Sequence, residues 1–142
     1  MTPSLKILVV EDYEPLRRAI CSSLRERDFL VIESADGLEA IEKAKELQPD
    51  LILFDIGLPK LNGIESAKRV RSLVPNAKVV FVTQESSSEV IQESFRLGAQ
   101  GYVHKQQAMT DLFPAIDAVL GGQRFVSSTL DFIDNGDVGC SQ

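Results

Sequence analysis

Three carboxylates in this chain follow short apolar runs, and carboxylates placed in this way can hold a metal ion. Glu11 and Asp12 come directly after ILVV, and Asp55 comes directly after LILF. If the three side chains meet, each like-charge pair at about 4 Å costs about 4 kcal/mol at an effective dielectric of about 20. A hard divalent cation offsets this repulsion. The pattern therefore predicts a site for Mg²⁺, or for Mn²⁺; the alternative is that each acid only caps the helix that follows it.

Thr83 and Lys105 end two further apolar runs and extend this chemistry. Thr83 is the last residue of VVFVT, and Lys105 is the last residue of GYVHK. A lone threonine in a strand is an ordinary strand former, and a lone lysine is usually part of the solvated surface. Beside three acids and a metal, however, a hydroxyl and an ammonium complete a set that can hold the anionic oxygens of a phosphoryl group.

The elements that must position these residues are five strands alternating with five helices. The strands are short runs rich in Val, Ile and Phe, namely LKILVV, FLVIES, LILF, KVVFVT and GYVH. The helices carry apolar stripes; that of the second helix consists of Leu38, Ile41, Ala44 and Lys45, with Leu47 beside them. Pro15 and Pro114 are expected in first helical turns, where the missing N–H costs nothing.

This alternation predicts an α/β fold, a doubly wound, five-stranded parallel sheet with helices on both faces. For five such units the common order is the flavodoxin-like 2-1-3-4-5, in which strands 1 and 3 are neighbours where the strand order reverses. Ligands bind at the carboxyl ends of the strands at this point. Glu11 and Asp12 end strand 1 and Asp55 ends strand 3, so the three acids are expected to share one crevice.

Composition and charge narrow the functional classes. The chain has 142 residues, of which 44% are hydrophobic and 25% charged, as expected for one globular domain. A net charge of −6 without a basic cluster argues against direct binding to nucleic acid. No apolar run approaches the roughly 20 residues needed to cross a membrane, and no signal peptide is evident. Cys21 and Cys140 are isolated, so we expect no disulfide framework and a cytoplasmic location.

The site residues lie in motifs that resemble the receiver domains of two-component response regulators. VVED, LILFDIGLPKLNG, VFVT and LGAQGYVHK occur in the order and at the spacing of that family, over residues 5 to about 126. The resemblance implies that Asp55 accepts a phosphoryl group from a sensor histidine kinase or a histidine phosphotransfer protein. It implies a signalling domain and not an enzyme, with self-catalysed phosphoryl transfer and autodephosphorylation at most. The implied Mg²⁺ ligands are Glu11, Asp12, Asp55 and the backbone carbonyl of Gly57.

The resemblance also implies a switch. Thr83 matches the residue that binds one oxygen of the attached phosphoryl group, and Lys105 matches the residue that pairs with another. Tyr102 matches an aromatic residue that turns inward when the threonine moves; a half-buried strand aromatic is the equal alternative. The fourth helix has a thin apolar stripe and is a candidate moving part. In the family, this helix, strand 5 and the fifth helix form the signalling face, through which a homodimer is a candidate assembly.

Several positions depart from the family pattern. Gln106 stands where a proline often follows the lysine, which leaves the isomer of the Lys105–Gln106 bond open. Gln84 stands where a small residue usually follows the threonine, and its bulk is expected to hinder small donors or attacking water. The acid pair is Glu-Asp where Asp-Asp is commoner, which the family tolerates.

The end of the chain resembles receivers of LuxR-type transcription regulators, in which a helix-turn-helix domain follows the segment that reads GGQRFVS here. We therefore predict a receiver over residues 1–126 and a polar tail or the start of an interdomain linker over residues 127–142. Transcriptional output through a domain absent from this chain is expected; a stand-alone receiver that acts by protein–protein interaction is the alternative.

Three other functional classes share parts of the pattern. LILFDIGLP also resembles the opening strand of haloacid-dehalogenase-type phosphatases, but those enzymes carry a second Asp where this chain has Gly57. A flavodoxin-like nucleotide binder needs Ser, Thr or Gly in its first loop, and EDYEP repels phosphate. A pseudo-receiver that binds partners without phosphorylation is the third, and the complete set of acids, threonine and lysine argues against it.

Overall fold

The computed structural model describes residues 5–56, 63–84, 88–96 and 98–127, and these residues form six strands and five helices. In chain order the elements are β1 Lys6–Val10, α1 Glu14–Glu26, β2 Leu30–Ser34, α2 Gly37–Leu47, β3 Leu51–Phe54, α3 Gly63–Leu73, β4 Lys78–Thr83, α4 Ser88–Arg96, β5 Gly101–His104, α5 Ala108–Leu120 and β6 Phe125–Val126. Among these helices there is none long and apolar enough to cross a membrane.

The strands form one parallel sheet in the order β2-β1-β3-β4-β5-β6. The predicted doubly wound fold and the order of the first five strands are confirmed. The sixth strand was not predicted, because two residues are too short to show an apolar alternation. Gly122 precedes it with a φ of +86°, a left-handed conformation that suits glycine and turns the chain back after α5.

Helices cover both faces of the sheet, and each face has its own core. On one face, side chains of α2, α3 and α4 pack with Leu8, Ile52, Phe81 and Tyr102 of the strands. On the other face, side chains of α1 and α5 pack with the alternate strand residues, among them Ile7, Leu53 and Val103. Both faces of β1 and β3 are therefore buried, which explains why their sequences are continuous apolar runs.

Two expectations about the helices are wrong, one about the buried face of α2 and one about the position of Pro114 in α5. In α2 the buried residues are Gly37, Ala40 and Ala44, whereas Leu38 and Leu47 are 48% and 38% exposed. Small side chains let this helix lie close to the sheet, so the larger leucines are left at its margins. Pro114 lies inside α5 and not in its first turn. The helix begins earlier than its apolar stripe suggests, because Ala108 is already buried against the sheet.

Backbone pairing carries the two acidic strand ends to the same level of the sheet. Val10 pairs with Phe54 across β1 and β3, and Glu11 and Asp55 are the residues that follow this pair. The backbone N–H of Asp55 donates to the carbonyl of Val10 at 3.0 Å, and that of Glu11 donates to the carbonyl of Ser34 at 3.1 Å. The carboxylates are thus placed by sheet hydrogen bonds and not by flexible loops.

Candidate functional site

The predicted acids meet at the carboxyl edge of the sheet. Glu11, Asp12 and Asp55 each offer a carboxylate oxygen, and these oxygens lie within 4.8 Å of one another. Glu11 and Asp55 are 2% and 4% exposed, whereas Asp12 is exposed. The three residues that the sequence placed in one crevice do share it. Gly57, the fourth predicted ligand, lies outside the described residues.

The ammonium of Lys105 lies between two of these acids. Lys105 Nζ donates to Asp55 Oδ2 and to Glu11 Oε2, both at 3.1 Å, and Glu11 Oε1 also lies 3.1 Å from it. The lysine side chain is 15% exposed. It follows β5 directly, in a short 3-10 turn over Lys105–Gln107, and reaches back across the sheet edge. Lys105, which the sequence places beside the acids, is therefore in direct contact with two of them.

The ionisation of Glu11 reflects its burial. Burial raises the pKa of this carboxyl above its ordinary value, and the charge of Asp55 adds to the rise. The backbone hydrogen bond from Tyr13 and the nearby ammonium of Lys105 oppose it without cancelling it. The cause is the loss of water around the charged form, which only close charge partners can replace.

The pKa of Lys105 is set by the same cluster. Burial by itself lowers the pKa of the ammonium, but the hydrogen bond and charge of Asp55, followed by those of Glu11, outweigh burial and raise it. Lys105 therefore carries its full positive charge at neutral pH. One cation faces three carboxylates, so the cluster keeps a negative charge that a further cation can offset.

The donor set fits a hard divalent cation. Within the part of the chain that the structure describes, Glu11 Oε1 is a buried side-chain oxygen that accepts no hydrogen bond. Among the described residues its close charge partner is Lys105 Nζ at 3.1 Å, and a coordinated cation would complete the surroundings of this buried oxygen. All three acids supply oxygen, the ligand type that Mg²⁺ and Mn²⁺ prefer. The residues present therefore suit the predicted ion.

Thr83 lies on β4, the strand beside β3, and Tyr102 lies on β5, the next strand of the sheet. Thr83 is the last residue of β4, is 2% exposed and pairs in register with His104 of β5. Tyr102 is fully buried, deeper in the sheet than the half-buried position considered from the sequence. Its ring centroid lies 6.3 Å from that of Phe81 and 6.2 Å from that of Phe95 in α4. Tyr102 thus connects the sheet to the fourth helix.

An open cavity of about 540 Å³ lies beside the cluster and is lined by Tyr13, Leu16, Gln84, Lys105 and Gln106. Two of the departures from the family pattern, Gln84 and Gln106, are exposed residues of this lining. The Lys105–Gln106 peptide is trans, as are the other peptide bonds of the described residues. Lys105 is thus reached from solvent past two amide side chains.

Two residues that the sequence analysis did not select support the segment that carries Glu11 and Asp12. Arg17 of α1 donates from Nη1 to the backbone carbonyl of Glu11 at 2.9 Å and from Nε to Glu33 Oε1 at 3.2 Å. Glu33 is a charged residue inside an otherwise apolar strand run, a signal that could have drawn attention to this pair.

Comparison with known proteins identifies the family of this chain. A family model described as the response regulator receiver domain matches residues 7–117. The transcriptional regulatory protein LnrK of Bacillus subtilis is 38% identical over 120 residues, which are 83% of this chain and 54% of LnrK. Protein CcdB of the same organism is 32% identical over 117 residues, which are 82% of this chain and 98% of CcdB. The chain spans about half the length of LnrK and nearly all of CcdB.

A solved structure supports the same relationship. The crystal structure of a two-component response regulator of the LuxR family from Aurantimonas sp. SI85-9A1 has a TM-score of 0.83 at 31% identity, and the match covers 96% of this chain and 99% of that chain. The family match over residues 7–117 includes the three acids, Thr83 and Lys105. The family match also favours the receiver interpretation of LILFDIGLP over the phosphatase interpretation. The chain belongs to the family of response regulator receiver domains.

Proposed function

We propose that this domain receives a phosphoryl group on Asp55 from a sensor histidine kinase or a histidine phosphotransfer protein. The observation that carries the proposal is the meeting of Glu11, Asp12, Asp55 and Lys105 at one edge of the sheet. A carboxylate nucleophile held among acids and an ammonium is suited to a reaction in which charge collects on phosphoryl oxygens.

The transfer forms one bond and breaks another. A carboxylate oxygen of Asp55 attacks phosphorus and forms an O–P bond, while the P–N bond to the donor imidazole breaks and its electron pair returns to the nitrogen. The ammonium of Lys105, already 3.1 Å from Asp55 Oδ2, moves its contact to an oxygen of the incoming group. Thr83, at the end of the neighbouring strand, supplies a hydroxyl to another oxygen. These roles make the domain a phosphoacceptor and not an enzyme with a separate substrate.

The proposed metal ligands are Glu11, Asp12 and Asp55, with the backbone carbonyl of Gly57 as the further ligand expected from the family. A bound Mg²⁺ or Mn²⁺ neutralises part of the charge on the phosphoryl oxygens. The chain's own residues provide the rest: Glu11 offers its buried oxygen that accepts no hydrogen bond among the described residues, and Asp12 adds charge from the exposed side.

Phosphorylation adds a charge of about −1.5 to −2 at neutral pH, and this charge acts on the groups around it. We propose that Thr83 and Lys105 respond and that Tyr102 passes the change to α4 through its contact with Phe95. The face formed by α4, β5 and α5 then carries the signal to a partner, and a second copy of the chain is a candidate for that partner.

The output and location are also proposals. The relative LnrK is named a transcriptional regulatory protein and is about twice as long as the matched region, which favours transcriptional output through a further domain in the cytoplasm. The receiver itself is not expected to bind nucleic acid or membrane. CcdB, which the match covers over 98% of its length, favours the second candidate, a receiver that acts alone through protein–protein contacts.

Phosphorylation of the full chain tests the central proposal. We expect a phosphorylated kinase domain with Mg²⁺ to add one phosphoryl group, detected as a mass increase that hydroxylamine removes, as it does from an acyl phosphate. Asp55→Asn should abolish the addition, because an amide cannot form this bond. Asp117→Asn, an equivalent change at an exposed position of α5, is the matched control and should be phosphorylated normally. Undiminished labelling of Asp55→Asn, or phosphate on Ser, Thr or His104, contradicts the proposal.

A further inference from the structure

Arg17 makes a contact that has no role in the transfer described above. Its side chain is 17% exposed, and its Nη1 donates to the backbone carbonyl oxygen of Glu11 at 2.9 Å. That carbonyl lies just beyond β1, where the ladder with β3 has ended. A guanidinium presents several donors in a rigid planar fork, so one group can hold two acceptors in a defined geometry.

The second acceptor of this fork is Glu33 on β2. Arg17 Nε donates to Glu33 Oε1 at 3.2 Å, and Arg25, two turns further along α1, lies 3.1 Å from Glu33 Oε2. Glu33 thus ties two positions of α1 to the neighbouring strand. On one side, the guanidinium of Arg17 is held by Glu33 of the edge strand β2. On the other side, it contacts the backbone carbonyl of Glu11.

The contact matters because of the peptide unit to which it belongs. The carbonyl of Glu11 and the backbone N–H of Asp12 share one planar group, so a bond that fixes the carbonyl also fixes the orientation of the plane. The direction of the Asp12 side chain from its Cα depends on that plane. The carboxylate of Glu11 is already held by Tyr13 N–H and Lys105, whereas Asp12 is exposed.

We propose that Arg17 is a positioning residue for the metal site: it fixes the Glu11–Asp12 peptide and thereby aims the Asp12 carboxylate toward Asp55. The inference rests on the proposed function, because it assigns Arg17 a role in binding the same divalent cation. Groups that orient metal ligands in this way change metal affinity by about 10–100-fold when removed.

The sign of the effect separates positioning from simple electrostatics. Removing a positive charge near an acidic site should, through charge alone, leave Mg²⁺ affinity unchanged or increase it. Loss of positioning should decrease it. We therefore expect Arg17→Gln to weaken Mg²⁺ binding about tenfold or more, measured by titration of the full chain. Arg18→Gln removes the same charge from the next residue, which is 75% exposed and paired with Glu14, and should stay within about twofold of wild type.

A measurement without metal accompanies the titration. In the metal-free chain, Arg17→Gln should shift the backbone amide resonance of Asp12 and increase its hydrogen exchange, and Arg18→Gln should do neither. Arg17→Lys should recover only part of the affinity, because an ammonium cannot hold both acceptors in the planar geometry. If Arg17→Gln destabilises the fold, Glu33→Gln provides the second variant. It leaves Arg17 in place but removes the carboxylate that accepts from Arg17 Nε, and it should give an intermediate loss of Mg²⁺ affinity.

The outcomes distinguish this inference from the proposed function. A wild-type chain that binds no Mg²⁺ overturns the metal part of the proposed function, and with it any metal role for Arg17. A wild-type chain that binds Mg²⁺, together with a folded Arg17→Gln variant of equal or higher affinity and an unchanged Asp12 amide, overturns the positioning role alone.

Discussion

Lys105 Nζ donates to Asp55 Oδ2 at 3.1 Å, although 50 residues separate the two in sequence. The same ammonium lies 3.1 Å from Glu11. One cation therefore holds together the ends of β1, β3 and β5. The group that we propose responds to a phosphoryl charge is thus already engaged with the proposed phosphoacceptor carboxylate.

The first prediction concerns this ion cluster. Lys105→Met should lower the free energy of unfolding by about 3 kcal/mol, because it leaves Glu11 and Asp55 buried without their countercharge. Urea unfolding of the metal-free chain measures the change. Lys68→Met, the same substitution at an exposed position of α3, is the control and should cost less than about 0.5 kcal/mol. Equal stability of the Lys105 variant and wild type would show that the ion cluster contributes no net stability.

The second prediction concerns Asp12, which is exposed and makes no ion pair among the described residues. Asp12→Asn should leave the melting temperature of the metal-free chain nearly unchanged while reducing the rise that Mg²⁺ produces. The reason is that Mg²⁺ stabilises the folded state by RT ln(1 + [L]/Kd), so a weaker affinity gives a smaller rise at the same Mg²⁺ concentration. Calorimetry at increasing Mg²⁺ tests this, with Asp117→Asn as the control. An identical Mg²⁺ response in Asp12→Asn and wild type argues against Asp12 as a ligand.

The third prediction concerns acid stability. Although partial burial raises the pKa of Glu33, the hydrogen bonds and charges of Arg25 and Arg17 outweigh it and hold this pKa below its ordinary value. Ionised Glu33 therefore stabilises the fold above the unfolded pKa of about 4.3, and this contribution is lost as the pH falls through the lower folded pKa. Because the side chain is 36% exposed, we expect less than about 1 kcal/mol at neutral pH.

The measurement compares the unfolding free energies of wild type and Glu33→Gln from about pH 6 down to about pH 3, where the difference should shrink. The control repeats the comparison in a background that carries Arg17→Gln and Arg25→Gln, in which the groups that lower the pKa are gone. A difference that grows on acidification would mean that the pKa of Glu33 is raised and not lowered.

The fourth prediction concerns Ser127, which follows β6 and is fully buried. Its hydroxyl donates to Asp111 Oδ2 at 2.8 Å and accepts from the backbone N–H of His104 at 3.0 Å. Ser127→Ala should cost about 1–3 kcal/mol, because it leaves a buried donor and an acceptor without their partner. Ser72→Ala, at an exposed site of α3, is the control for urea unfolding. A Ser127 variant as stable as the Ser72 variant contradicts this role.

The sequence predicted the fold well where local and tertiary signals agree. The five apolar runs correspond to β1 to β5 within a residue at their ends, since strands buried on both faces must be apolar throughout. The meeting of Glu11, Asp12 and Asp55 followed from the strand order alone, because parallel strands end at a common edge.

The remaining features depend on packing between elements, which a one-dimensional pattern does not contain. The apolar stripe of α2 overestimated the burial of Leu38, because the close approach of Ala40 and Ala44 decides which side chains are covered. The depth of Tyr102 depends on Phe81 and Phe95 from two other elements. The contact of Arg17 with a backbone carbonyl requires knowledge of where β1 ends relative to α1.

The sixth strand has a mechanical consequence. Because β6 runs parallel to β5, Ser127 lies at the same edge of the sheet as Asp55. Its N–H donates to the carbonyl of Tyr102 at 3.0 Å, and its hydroxyl accepts from the N–H of His104, the residue before Lys105. Hydrogen-bonded strands resist sliding past one another, so a displacement of β5 along its axis would be passed on to Ser127. The last residue that the structure describes is thus fastened to the strand that leads into Lys105.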